Sequence, residues 1–270
     1  LNVVAIVLSF GRAELGELFT QWMKQTHPTP LLVWLDGYRG RVAAPDAWAP
    51  TWVAPRPMIH VHRAPRLGDN HSIGAVRSAA VELARELYSL GPSDGFLVLD
   101  DDDYYSPTHA EHTIAALERA PGGWTGADRL AYQWHRDMMP PELVTAGGGP
   151  GQHAAWGLRF ETYDRAGGYQ GADQYEDTTL AARIGWRSFT SHAALTHVRR
   201  QFGSTLSSVL KGKSPHVAQY DRDQLRRDNP VPAEITPTWR PELGELEAWT
   251  RSHENEPGPH SAETGGCDAL

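Results

Sequence analysis

Four consecutive carboxylates, Asp100-Asp101-Asp102-Asp103, follow directly on the apolar run Phe96-Leu97-Val98-Leu99. The run has the composition of a fully buried strand, so the acids stand where that strand must surface. Held together in a fold without a counter-ion, such charges repel at a cost of several kcal/mol or take up protons. A divalent cation relieves this most simply. Hard oxygen ligands suit Mg²⁺ or Mn²⁺, and those ions in turn suit a diphosphate substrate. Taken alone, the run reads more readily as a solvated acidic turn, and the rest of the chain has to overturn that reading. A second acidic pair, Glu176-Asp177, opens a helical pattern, where carboxylates are favoured by the helix dipole and are also placed for chemistry. His197 follows one strand later. Gly147-Gly148-Gly149-Pro150-Gly151, with His153 beside it, fits a binding loop or a plain linker, because it lacks the spacing of a Walker loop.

The elements that must position these residues are legible from periodicity. Asn2 to Leu8 is a continuous apolar run ending at Ser9-Phe10-Gly11-Arg12, as a central parallel strand would. Leu15, Leu18, Phe19, Trp22 and Met23 recur at helical spacing within 13–25, and His27-Pro28-Thr29-Pro30 stops that helix. Leu31 to Leu35 is a second strand ending in Asp36-Gly37, and the strand-helix-strand order predicts a ligand crevice beyond the carboxyl ends of the strands. Residues 39–57 read as an irregular excursion and 58–62 as a short strand. Ser72 caps a helix predicted over 73–90, with Val76, Ala79, Ala80, Leu83 and Leu87 on one face. Further helices are expected at 108–119, 162–166 and 176–184, and strands at 124–134, 154–160 and 188–194. Residues 201–250 are expected to form a lid and extension, and 251–270 a disordered tail.

Composition narrows the class. The chain has 270 residues, of which 40% are hydrophobic and 21% charged, enough for one large α/β domain. Its net charge of −8 disfavours nonspecific nucleic-acid binding. The single cysteine, Cys267, excludes internal disulfides and cysteine-rich zinc sites. No run of apolar residues is long enough for a transmembrane segment, and 1–10 suits a buried strand better than a signal peptide, so a cytoplasmic protein is expected. Leu1 in place of a methionine suggests a trimmed or processed chain.

In order and spacing, the first strand with Ser9-Phe10-Gly11-Arg12, Asp36-Gly37, Gly74-Ala75-Val76-Arg77-Ser78, Leu99 to Pro107, Gly167-Gly168-Tyr169, Glu176-Asp177-Thr178-Thr179-Leu180 and His197 resemble the GT-A glycosyltransferases, particularly the family-2-like enzymes, over about residues 2–200. The resemblance implies a single Rossmann-like α/β domain with a central, mostly parallel sheet flanked by helices, a nucleotide-sugar half at 1–107 and an acceptor half at 108–200. It implies a UDP- or GDP-linked donor and an Mn²⁺ or Mg²⁺ ion. Asp100 and Asp102 would be the two acids of the Asp-x-Asp motif, with Asp102 on the metal and Asp100 on the ribose or the metal. Asp101 and Asp103 remain alternative ligands. Asp36 would lie near the base, Arg77 near the sugar or diphosphate, and His197 would complete the metal site.

The chemistry these residues would support is transfer of a sugar to an acceptor hydroxyl. A nucleoside diphosphate leaves readily once a divalent ion neutralises its developing charge. Asp177 is the candidate base for the acceptor hydroxyl, with Glu176 positioning the acceptor or sharing the role, and in-line attack would invert the anomeric centre. Arg199 and Arg200, with Lys211 and Lys213, would close over the diphosphate. Trp156, His153 and Tyr169 are candidate acceptor contacts, since aromatic faces stack on sugars. The acceptor itself stays open between a small molecule, a glycan and, as a minority case, a hydroxylated base in phage-like DNA. A sugar nucleotidyltransferase is the alternative enzyme, although Ser9-Phe10-Gly11-Arg12 is sparse for its glycine-rich loop. A non-catalytic carbohydrate- or nucleic-acid-binding module is the alternative from another class.

Overall fold

The computed structural model describes residues 1–9, 15–36, 58–64, 72–136, 139–147, 150, 152–170 and 176–202, with the backbone alone at 36, 132–136, 139–147 and 200–202. A 7-stranded sheet carries the fold. Strands β1 (Val3–Ser9), β2 (Leu31–Asp36), β3 (Ile59–Ala64) and β4 (Gly95–Asp100) are parallel, with β1 at the centre of that group between β2 and β4. Beyond β4 the order continues through the strand Gly157–Arg159, which runs antiparallel to β4, to Trp124–Ala127 and Thr190–His192. In chain order these three are β9, β6 and β10.

β1 is apolar along its whole length because both of its faces are covered. Val4 and Ile6 join Leu32, Trp34, Phe96 and Val98 under helix α2 (Ile73–Leu87), which supplies Val76, Ala80, Val81 and Ala84. Val3, Ala5 and Val7 face the other way, onto Leu15, Leu18, Phe19 and Trp22 of α1 (Leu15–Trp22) and Ala110 and Ile114 of α3 (His109–Arg119). The Ser72 side chain accepts a hydrogen bond from Ala75 N at 3.2 Å and caps α2 as expected. Two short helices complete the second half, α4 (Phe160–Arg165) and α5 (Glu176–Ile184). Gly167 and Gly168 turn the chain out of α4 at φ +76° and +64°, a conformation that favours glycine.

A second sheet of four strands stands beside the first, in the order β5 (Tyr104–Tyr105), β11 (His197–Phe202), β7 (Arg129–Arg136) and β8 (Met139–Gly147). Periodicity alone points to none of β5, β8 or β11. β5 is two residues long, β8 has a proline pair directly after its first residue, and Arg199-Arg200 interrupt the apolar pattern of β11. Pairing makes these strands: β11 lies parallel to β7, from Val198 opposite Ala131 to Phe202 opposite His135, and antiparallel to β5. The segment read as one strand over 154–160 is instead a 3-10 turn at His153–Ala155, the three residues of β9 and the start of α4. The strand expected over 188–194 is shortened to β10 by a 3-10 turn at Trp186–Ser188. Among the described residues no helix is long and apolar enough to cross a membrane. The expected excursion at 39–57, the lid, Lys211 and Lys213, and the tail lie outside the described residues.

Candidate functional site

The parallel strands end on a common edge, and the chemistry gathers there. β4 delivers Asp100 at its last position, paired with Leu8 of β1. The turn then sends the following acids in different directions. Asp101 is buried and points back to β1, where Ser9 Oγ donates to its Oδ2 at 2.5 Å. Asp103 is buried on the opposite side, with its Oδ2 2.7 Å from His197 Nε2, and His197 itself is fully buried. Asp102 is half-buried and Asp100 keeps 33% of its side chain exposed, so these two carry the solvent side of the turn. Burial and the neighbouring Asp103 push the Asp100 carboxyl above its ordinary pKa, against the pull of Arg77 and Arg199.

Arg77 ties this turn to α5. Its Nε donates to Glu176 Oε1 at 3.1 Å and its Nη2 lies 3.9 Å from Asp100 Oδ1, while the guanidinium sits 6.0 Å from the centroid of the Tyr169 ring. Gly74, one helical turn before Arg77, allows the approach: a Cβ there would lie 1.9 Å from Gln170 O and 3.3 Å from Glu176 Cβ. Burial lowers the Arg77 pKa, but the surrounding acids outweigh it and hold the guanidinium above its ordinary value. Burial raises Glu176, with Arg77 opposing and Asp177 reinforcing the rise. Asp177 is half-buried at the start of α5, where its Oδ1 accepts from Thr178 N at 2.6 Å and from Thr178 Oγ1 at 3.3 Å.

The candidate acceptor contacts are core residues. Trp156 is buried edge-to-face against Trp124, with ring centroids 5.2 Å apart, so it has no open face for a sugar. His153 and Tyr169 are also buried and bond one another, Nε2 to Oη at 2.7 Å. Burial, then the charges of Arg77 and Arg199, hold the His153 imidazole well below its ordinary pKa and so neutral. The fold gives the reason: the 3-10 turn at His153–Ala155 replaces a continuous strand and leaves His153 and the following Trp156 buried, and Tyr169 packs on His153 after the Gly167-Gly168 turn. Arg199 Nη1 donates to Gln152 Oε1 at 3.3 Å, which brings β11 to the same turn. Asp36 is placed by backbone only, at the end of β2 opposite Ala64, and Arg200 by backbone on β11 opposite Gln133.

Tyr105 is a residue that sequence reasoning passes over. Its hydroxyl accepts from Asp100 N at 2.8 Å and donates to Ala154 O at 3.1 Å, and its ring stacks on His197 at 5.0 Å and 4°. The Tyr-Tyr pair after four acids was the available signal, but its meaning depends on which segments meet it.

Among the described residues no group of three or more His, Cys, Asp or Glu side chains forms a ready cation cage. The two acids on the solvent side of the turn, Asp100 and Asp102, would suit only an ion held by one or two carboxylates, with substrate phosphates and water completing the shell. His197 lies behind the turn on Asp103, so in this arrangement it orients that acid.

No protein-family model matches the chain, and no curated protein matches it in sequence. Solved structures do match in fold. S. aureus TarS 1-349 superposes with a TM-score of 0.50 at 11% identity, covering 74% of this chain and 60% of that one. The same TarS fragment in complex with UDP gives 0.51 at 12% identity, over 74% and 61%. GalNAc-T7 with UDP, GalNAc and Mn²⁺ gives 0.52 at 12% identity, over 94% of this chain and 54% of that one. The chain thus spans less than two thirds of each of these three chains. The chain shares their GT-A-like fold, a mixed, mostly parallel sheet flanked by helices.

Proposed function

We propose that the chain is a glycosyltransferase that moves a hexosyl or pentosyl group from a UDP- or GDP-linked sugar to an acceptor hydroxyl, with Mn²⁺ or Mg²⁺ and with inversion at the anomeric centre. The observation that carries this reading is the convergence of Asp100, Arg77 and Glu176 at the carboxyl edge of a GT-A-like sheet, with Asp102 beside Asp100 and Asp177 beside Glu176. Ligands of open α/β sheets bind at that edge.

In this reading Asp100 and Asp102 hold the divalent ion, which when bound neutralises charge on the leaving diphosphate. Asp36 lies toward the base, Asp101 braces the turn through Ser9, and Arg199 and Arg200 serve the diphosphate from β11. Glu176 is committed to Arg77 and is not the base. Asp177 is: Thr178 anchors one carboxylate oxygen, which orients the other to take the acceptor proton as the sugar centre develops positive charge. With the base opposite the diphosphate, attack is in line and the centre inverts. Trp156, His153 and Tyr169 support the edge from beneath, so acceptor contacts fall to other residues.

A donor screen tests the proposal. UDP- and GDP-sugars are incubated with the protein and Mn²⁺, with and without chelator, and released nucleoside diphosphate is measured. Metal-dependent release from at least one donor is expected. If every donor is inert and none binds, the enzyme reading falls.

A further inference from the structure

Strand β4 donates its backbone N–H groups on one side in a regular ladder. Phe96 pairs with Leu158 of β9, and Val98 N donates to Trp156 O at 2.9 Å. The next rung along the same line would join Asp100 N to Ala154 O. They do not meet. The Tyr105 hydroxyl stands between them, accepting from Asp100 N at 2.8 Å and donating to Ala154 O at 3.1 Å. One O–H therefore satisfies both a donor and an acceptor that would otherwise be left without partners where the two segments splay apart.

The rest of Tyr105 is held from several directions. Its backbone N donates to Gln21 Oε1 at 2.9 Å, so α1 fixes its height. Its ring is fully buried, lies flat on His197 at 5.0 Å and meets His109 at 4.8 Å. His197 in turn holds Asp103. A single side chain thus contacts the backbone of the first acid of the turn and the imidazole that orients the last.

We propose that Tyr105 is a positioning residue: by inserting its hydroxyl into the β4 ladder and stacking on His197, it sets the distance and direction of the Asp100–Asp103 turn for a metal-bound nucleoside diphosphate. The proposal rests on the donor reading above. It adds that the acid turn is built by a side chain inside the core, and that removing one oxygen, far too buried to touch substrate, weakens donor binding.

Tyr105→Phe is the test, beside Thr162→Val, which deletes another buried hydroxyl bonded to a carbonyl, that of Gly122 at 2.9 Å. Amide exchange at Asp100 is read by NMR, and affinity for UDP and GDP with Mn²⁺ by calorimetry. In Tyr105→Phe the Asp100 amide should exchange about tenfold faster or more, and the dissociation constant should rise about tenfold, while Thr162→Val loses similar stability and neither readout moves. Unchanged affinity in folded Tyr105→Phe overturns the proposal. If wild-type protein binds neither nucleotide with metal, the donor reading has failed by itself, and the proposed role for Tyr105 fails with it. The ladder insertion is then judged separately by exchange. Should Tyr105→Phe not fold, wild-type exchange decides: Asp100 as protected as Val98 supports the pin, and Asp100 exchanging at a solvent-exposed rate refutes it.

Discussion

Two neighbouring acids with opposite surroundings define the residue-scale account. Glu176 is buried against Arg77, whereas Asp177 is half-buried and anchored on Thr178. Asp177→Asn should therefore keep donor binding and lose transfer by about a hundredfold to ten-thousandfold, read as steady-state turnover against calorimetric donor affinity. Glu176→Gln should instead cost about 1–3 kcal/mol of stability, because Arg77 loses a charged partner in a mostly buried setting, and thermal unfolding will show it. Turnover of Asp177→Asn at the wild-type rate would remove the base assignment. The residue types were legible in the sequence: acids after a buried strand, a Glu-Asp pair and a late histidine. Their division was not. Nothing in Asp100 to Asp103 says that Asp101 turns to Ser9 and Asp103 to His197, because the partners lie 92 and 94 residues away.

At the scale of elements, the contact of α2 with α5 brings the two acidic groups within reach of Arg77. Gly74→Ala would set a methyl against Gln170 O and close on Glu176 Cβ, so α2 must move away from the Gln170 segment and the start of α5. Overpacking of this kind costs about 1–3 kcal/mol, and it should lengthen the Arg77–Glu176 contact, lowering both the melting temperature and donor affinity. Helix α3 against the edge strand β10 carries a pH signature. His192 stacks on His112, with centroids 6.0 Å apart, and its pKa is lowered to about 4 by burial first and then by His112 and Arg119. A depressed imidazole binds its proton more readily in the unfolded chain, so its contribution is complete above about 6.5 and is lost as pH falls toward 4. Melting temperature should drop over that window, and His192→Gln should flatten the drop. Unequal slopes in the opposite sense would contradict the burial argument. Helical periodicity and the cap at Ser72 made α2 and its neighbours readable, and β1, β2 and β4 announced themselves as strands buried on both faces. β5, β8 and β11 did not, since their identity lies in partners: Val198 is a strand residue because Ala131 and Tyr104 flank it.

For the molecule as a whole, the resemblance read from scattered motifs and the fold agree. The sheet order places the carboxyl ends of β1, β2 and β4 side by side, and the second sheet brings β11 with His197 and Arg199 to the same edge. On the acceptor side the fold buries the side chains that the motifs offer. Trp156, His153 and Tyr169 looked like a stacking surface in sequence and are core in the fold. Aromatic residues serve both purposes, and tertiary partners decide between them: Trp156 lies against Trp124, and Tyr169 against His153 and Tyr163. The central claim, that the turn at the end of β4 holds a metal-bound nucleoside diphosphate, is most directly tested by calorimetric titration of UDP and GDP into the protein with Mn²⁺ or with chelator, for wild type and Asp102→Ala. The account predicts binding to wild type that requires the metal and is lost in folded Asp102→Ala. Binding that is equally tight without metal, or unchanged in Asp102→Ala, would contradict it.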